Sequence, residues 1–323
     1  MLRVLIAWAV ALAAVSGGLA PGHGSIGPLA FVSVEDASQL VAVDLDTKRV
    51  VTRIHVPRSP HNVAAAGRLV LVTSPPAGAV TLVDAPSRRV LHLFSGLVSP
   101  HDVEISPSGR FAYVTEERAG RIAVLDLRTR RLVARTPVGT GPHDLAISPN
   151  GRRIWVTHGP HGRSPTILDA TDPARPKLVA YAGGGGEHDI AFDRRGLFVW
   201  VTYWDSGSVG ASIVGQIRAY PRTGRLRRQE RVGLLVHHVY VDTAGRVWAT
   251  DHLTGDVYLI GEMVRRVFSG CPGAHHVALA GTTRVVVACH DANAIAVYDT
   301  ATGRRTMIPV GAGPHGVAVV PAR

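Results

Sequence analysis

The sequence predicts an all-β protein: a seven-bladed β-propeller of four-stranded antiparallel blades. Three observations predict it. One unit of about 40 residues recurs along the chain, each unit divides into four short β-rich runs, and the two chain ends are complementary fragments of one more unit.

The clearest copy begins at His101. His101-Asp-Val-Glu-Ile is followed by the turn Ser-Pro-Ser-Gly, then by Arg110-Phe-Ala-Tyr-Val-Thr, Arg121-Ile-Ala-Val-Leu-Asp-Leu and Arg131-Leu-Val-Ala-Arg. Each run alternates at period 2 or is short and apolar, as strands do. In the turn, Pro fixes φ and Gly supplies the positive φ. Asp126 closes the third strand, where a carboxylate can accept hydrogen bonds from the coming turn; Asp44, Asp84, Asp169 and Asp299 stand in the same place. Copies start at His61, His101, His143, His188, His237, His275 and His315, at intervals of 40, 42, 45, 49, 38 and 40 residues. The 49-residue copy carries an insertion, Trp204 to Gly215.

The ends close the ring. Residues 30 to 56 supply three strands with no first strand before them, and His315-Gly-Val-Ala-Val-Val supplies a first strand with nothing after it. Together they make the seventh blade, so residues 28–323 read as a single propeller. Residues 1–20 read as a signal peptide: Arg3, an apolar run from Val4 to Val15, and the small residues Gly18 and Ala20. Twelve apolar residues are too few to span a bilayer, which needs about 20. The expectation is an exported protein, monomeric and without a transmembrane segment.

Apolar residues make up 46% of the chain and charged residues 18%, which argues for a packed core and against disorder. The formal charge of +11 invites a nucleic-acid reading. However, the arginines gather at turns and on the last strand of each repeat, where charge blocks edge-to-edge pairing, and no strand carries a stacking pattern. Nucleic acid is therefore not expected as a partner; the arginines read as a solvated basic rim, with attraction to an acidic envelope polymer or another protein as the alternative. Neither a phosphate-binding glycine loop, nor His-Glu-x-x-His, nor Gly-x-Ser-x-Gly occurs.

Tyr113-Val-Thr-Glu, Ser148-Pro-Asn-Gly-Arg, Ala296-Val-Tyr-Asp-Thr-Ala-Thr-Gly and Pro309-Val-Gly-Ala-Gly-Pro-His-Gly resemble the consensus of the YVTN-type β-propeller repeat family. The resemblance spans nearly the whole mature chain. It implies the propeller fold and a bacterial secreted or surface protein, and it leaves function open.

Function is sought at the histidines. The first strand of a blade is innermost, so His61, His101, His143, His188, His237, His275 and His315 are placed around one channel mouth. The residue before the histidine drifts (Glu187, Val236 and Ala274 replace Pro), and the residue after it takes four identities. Only the histidine is constant, which turn geometry does not require. Against this, each histidine shares a period-2 lane with residues such as Val103 and Ile105, so the side chains could instead lie between blades. Seven imidazoles at one mouth are candidate ligands for a transition metal, copper first and zinc second, or for a small molecule. Asp102, Asp144, Asp189, His238 and His276, which directly follow a ring histidine, are candidate supporting groups. So are Glu116, His158, Asp251 and His290 at the ends of second strands.

The histidine-lined ring resembles the propeller hub of nitrous oxide reductase, which implies copper; the cupredoxin domain of that family is lacking here. Pro314-His315-Gly316-Val317 and Thr115-Glu116 resemble turns of the virginiamycin B lyase family, which implies His315 and Glu116 as catalytic candidates, although its Trp-Phe-Thr-Glu repeat is absent. Cys271 and Cys289 are the only cysteines. In an exported protein they read as a disulfide, with a thiolate ligand beside His275, His276 and His290 as the alternative. Three functions remain: a metal-binding envelope protein, a lyase or lactonase-like enzyme using a channel-mouth histidine, and an interaction scaffold.

Overall fold

A computed structural model describes residues 27–160, 162–205 and 213–322. The expected signal peptide, His161 and most of the insertion after Trp204 lie outside the described residues. The rest folds into seven four-stranded antiparallel sheets, the seven-bladed propeller expected from the repeats. The blade begun by His101 has strands Pro100–Ile105, Phe111–Glu116, Arg121–Asp126 and Arg131–Pro137. Numbering blades 1 to 7 from their histidines, His61 to His315, this is blade 2.

The middle strands read as continuous apolar runs because both faces of each sheet are covered by a neighbouring blade. In blade 2, Ala112, Val114, Ala123 and Leu125 pack on Leu71, Val80 and Leu82 of blade 1. Phe111, Tyr113, Ile122 and Val124 pack on Leu145, Ile154 and Leu168 of blade 3. The outer strand Arg131–Pro137 alternates exposed and half-buried residues, and its arginines cover the free edge. Asp126 accepts hydrogen bonds from the N–H groups of Arg128 (3.0 Å) and Thr129 (2.9 Å), which is the turn role read from its position.

Blade 7 joins the chain ends: Pro314–Val320 pairs antiparallel with Leu29–Val34, which pairs with Gln39–Asp44 and then with Arg49–His55. Cys271 and Cys289 form a disulfide, so neither sulfur is available as a thiolate ligand. It ties the loop entering blade 6 to the end of that blade's second strand, across a separation of 18 residues. Replacing both cysteines with Ser should lower stability by about 3 kcal/mol, the amount expected for a loop of this size. Calorimetry of the double variant checks this; an unchanged melting temperature would mean the loop is held without the bond.

Candidate functional site: a closed ring of seven imidazoles

The seven histidines face one another around the channel rather than lying between blades. Neighbouring ring centroids are 4.5 Å apart for His61–His101, 3.8 Å for His101–His143, 4.5 Å for His143–His188 and 4.6 Å for His188–His237. The circuit closes through His237–His275 at 4.1 Å, His275–His315 at 4.3 Å and His315–His61 at 3.7 Å. All of them except His275 line a cavity of about 140 Å³, together with Asn62, Asp144 and His276.

Two local devices produce this. The first is a register shift at the histidine dipeptide, between Pro100 and Val103 in blade 2, and equivalently in blades 4, 5 and 6. A bulge adds a residue and breaks the period-2 lane, so a histidine need not follow Val103 and Ile105 into the blade interface. The second is a hydroxyl side chain near the end of six of the seven second strands, a threonine in blades 1 to 5. Thr73 Oγ1 donates to the His101 carbonyl (2.8 Å), Thr115 to that of His143 (2.8 Å) and Thr157 to that of His188 (2.5 Å). Thr202 and Thr250 reach His237 and His275 in the same way, and Ser33 reaches His61. The same hydroxyl accepts the N–H after its own blade's histidine, as in Asp102 N to Thr115 (2.8 Å). Each hydroxyl therefore locks two successive blades at the ring. Blade 6 has Ala288 at this position. The recurrent Thr was visible in the sequence; its clamp across blades was not.

Beneath the ring lies a second tier. Asn62 Nδ2 donates to Asp102 Oδ1 (3.0 Å) and to Asp144 Oδ1 (3.3 Å), and the N–H of Leu145 donates to Asp102 (2.9 Å). Asp189 accepts from the N–H of Val239 (2.6 Å), and its Oδ2 lies 3.7 Å from His238 Nε2. His238 and His276 stack at 4.1 Å. A wider cavity of about 490 Å³, lined in part by Asp102, Glu104, Asp189, His238 and His276, continues down the channel.

Hydrogen bonds divide the ring into two arcs. A carbonyl can only accept, so His101 Nδ1–H donates to the His143 carbonyl (3.2 Å) and His188 Nδ1–H to the His237 carbonyl (3.0 Å). His143 Nδ1–H donates to Asp144 Oδ2 (2.8 Å). In the neutral ring each of their Nε2 atoms then carries the lone pair. In the other arc, the buried Nδ1 atoms of His61, His237, His275 and His315 have no hydrogen-bond partner among the described residues. Ligand atoms of His237, His275 and His315 lie within 4.8 Å of one another, as do those of Glu35, His61 and His315, and those of His101, His143 and Asp144.

Burial sets the charge state. Desolvation, reinforced by neighbouring imidazoles, holds His61, His237, His276 and His315 well below the usual histidine range, His275 at about 2 and His188 at about 3. Desolvation alone brings His238 to about 4. His101 goes the other way: burial would lower it, but the hydrogen bond and charge of Asp144 outweigh burial. Burial, and then repulsion from Asp144, raises Asp102 to about 7 and Asp189 well above the carboxylate range. Burial opposes charge on Asp144 too, yet His143 and His101 keep its pKa well below the usual value.

The supporting groups expected around the ring thus separate into two sets. Asp102, Asp144, Asp189, His238 and His276 are in the channel. Glu116, His158 and Asp251 are turned to a different task. Glu116 accepts from the N–H of Val98 (2.8 Å) and pairs with Arg121 (2.6 Å) and Arg135 (3.0 Å). His158 Nδ1–H donates to the Thr140 carbonyl (2.9 Å), and Asp251 accepts from the N–H of Leu234. Each braces the loop arriving from the previous blade. Ser74 does so by donating to the Pro57 carbonyl (3.0 Å), and Cys289, the equivalent residue of blade 6, does so through the disulfide. The position is polar because that loop carries unpaired backbone groups. His290 lies one residue beyond it, with its ring centroid 5.1 Å from that of His275. Glu116, held by two guanidinium groups, is not placed with His315 as an acid–base pair. Glu35, which the sequence did not single out, comes within 3.7 Å of His61 Nε2.

The family model of the Cytochrome D1 heme domain matches residues 64–181, less than half of the chain. Among curated proteins no sequence matches. A solved structure of a functionally unknown protein from Desulfotomaculum acetoxidans is 18% identical, covers 91% of this chain and 99% of that one, and superposes with a TM-score of 0.74. Kuenenia stuttgartiensis hydrazine synthase is 15% identical over 81% of this chain and 95% of that one, with a TM-score of 0.71. The dihydro-heme d1 dehydrogenase NirN in complex with DHE is 18% identical over 90% of this chain and 74% of that one, with a TM-score of 0.64. At these identities the likenesses show the propeller fold.

Proposed function

We propose that the imidazole ring is a transition-metal site, with copper the preferred ion and zinc the second, in a protein of the extracytoplasmic space. One observation carries the reading: His237, His275 and His315 bring ligand atoms within 4.8 Å of one another, and their Nδ1 atoms are buried without a partner among the described residues. A buried polar atom left unpaired is costly, and a bound ion would satisfy it. Desolvation keeps these imidazoles neutral at neutral pH, so no proton has to be displaced from them. Nitrogen donors suit copper and zinc, and the affinity order places copper first. The buried disulfide supports an oxidising compartment.

A second reading comes from the match to the Cytochrome D1 heme domain and from the likeness to an enzyme whose structure contains DHE. The ring cavity of about 140 Å³ is smaller than the roughly 300–1,000 Å³ typical of small-molecule and cofactor sites. A tetrapyrrole does not fit inside the ring, so no step is assigned to one.

The test is metal uptake near neutral pH by protein purified without a histidine tag, read by elemental mass spectrometry and calorimetry. Copper should bind stoichiometrically and more tightly than zinc. Replacing His237, His275 and His315 together with Asn should abolish uptake while the circular dichroism spectrum stays that of the parent. Wild-type protein that takes up neither metal above background overturns the proposal. Stoichiometric haem binding without copper uptake would move the function to the tetrapyrrole reading.

A further inference from the structure

We infer that the face opposite the histidine ring docks on an anionic phospholipid bilayer. Antiparallel ladders place the turn between strands one and two, and that between strands three and four, at the end of each blade away from the histidines. In blade 2 that end carries the pairs Ile105–Ala112 and Asp126–Arg131. The chain's basic residues are concentrated in these turns, and all but Lys48 and Lys177 are arginines. Arg130, Arg131, Arg194, Arg195, Arg225 and Arg227 are exposed there and form no ion pair among the described residues.

Several carboxylates share this face. Asp44, Asp126, Asp169 and Asp299 each accept N–H bonds from their own turn, and Asp46, Asp84 and Asp242 pair with Arg284, Arg68 and Arg246. Asp172 and Glu262 stand exposed there, but basic residues outnumber acidic ones in these turns. Guanidinium favours phosphate through its planar, bidentate donors.

A second observation selects a bilayer over a soluble polyanion. Apolar side chains stand exposed among the arginines of blades 4 and 5: Leu197 is 45% exposed, Leu226 42% and Met263 73%. Their turns are contiguous, since the N–H of Arg222 donates to the Leu197 carbonyl (3.2 Å) and Arg228 donates to the Gly261 carbonyl (2.7 Å). Arginines interleaved with exposed apolar side chains suit the headgroup and acyl boundary of a membrane. A soluble polyanion offers those apolar groups nothing. Docking this way would present the histidine ring to the aqueous side.

Co-sedimentation with phosphatidylcholine vesicles, with and without about 30 mol% phosphatidylglycerol, tests the inference. Wild-type protein should bind the anionic vesicles and not the neutral ones. The variant Arg194→Glu, Arg195→Glu, Arg225→Glu should bind at least tenfold more weakly, each arginine being worth about fivefold near an anionic surface. The variant Leu226→Ser, Met263→Ser should lose the fraction of binding that survives high salt. All five side chains are solvent-exposed, so both variants should keep the parental melting temperature. Absence of binding to anionic vesicles overturns the inference. So does a wild-type affinity for soluble polyphosphate equal to that for vesicles, with vesicle binding indifferent to the Leu226 and Met263 changes.

Discussion

A chain ending at Gly313 should yield no soluble monomer. Residues 314–320 are the innermost strand of blade 7, laddered to Leu29–Val34 from Leu29–Val320 to Val34–Pro314. Val317 and Val320 are buried, Val317 with Ala278, Val286 and Ile295 of blade 6, and Val320 with Val70 and Val72 of blade 1. Burying an aliphatic side chain is worth about 1.5–3 kcal/mol, and each ladder hydrogen bond adds about 1. The loss is then comparable with the whole stability of a typical domain, roughly 5–15 kcal/mol. It also opens an unpaired edge at Leu29–Val34 and removes His315 from the ring, which breaks the circuit between His275 and His61. Size-exclusion chromatography after expression is the measurement. A truncated chain that elutes as a monomer and melts normally would mean the ring does not depend on this closure.

Acid should unfold the protein steeply below the ordinary histidine pKa of about 6.5. His61, His188, His237, His238, His275, His276 and His315 all have folded pKa values lowered by burial. Such groups contribute stability that is present above the unfolded value and is lost as pH falls towards the folded one. Asp102, Asp189, Glu104 and Glu35, with raised pKa values, pull the other way: in this range the folded state holds protons that the unfolded chain has released. Seven imidazoles outweigh four carboxylates. Unfolding between pH 6.5 and 4 therefore takes up several protons, each worth roughly 1.4 kcal/mol per pH unit. The melting temperature should fall sharply from pH 6.5 to 5. Replacing His238 and His276 with Asn should flatten the slope by about two protons. Bound copper should shift the fall to lower pH, because ion and proton compete for the same nitrogens. A melting temperature constant between pH 7 and 5 would show that the imidazoles are solvated rather than buried.

Much of the fold is legible in the chain because the repeat states it seven times. Strand lengths, the Asp-capped turns and the complementary chain ends all depend on neighbours in sequence, and local rules reach those. The histidine circuit is only half legible. Seven constant histidines in drifting repeats mark the site, yet period-2 alternation points the side chains between blades. The register shift beside Pro100 resolves that conflict, and a bulge leaves no reliable mark in a single sequence. Glu116, His158 and Asp251 group with the site in sequence because they end second strands on the histidine face. Their partners, Val98, Thr140 and Leu234, belong to the loops arriving from the previous blade, and only the folded chain brings these together.

From the order of amino acids alone follow the number of blades, the closure by the C-terminal strand and the face on which the histidines gather. Each of these comes from periodicity, whereas the choice between a disulfide and a thiolate ligand at Cys271 and Cys289 is settled only by the structure. Packing in three dimensions sets which way the imidazoles point, which of them keep an unpartnered nitrogen and which carboxylates share their channel. Those outcomes depend on contacts between successive blades, such as the Thr115 hydroxyl on the His143 carbonyl. They depend also on how deeply each group is withdrawn from water, which no single repeat encodes.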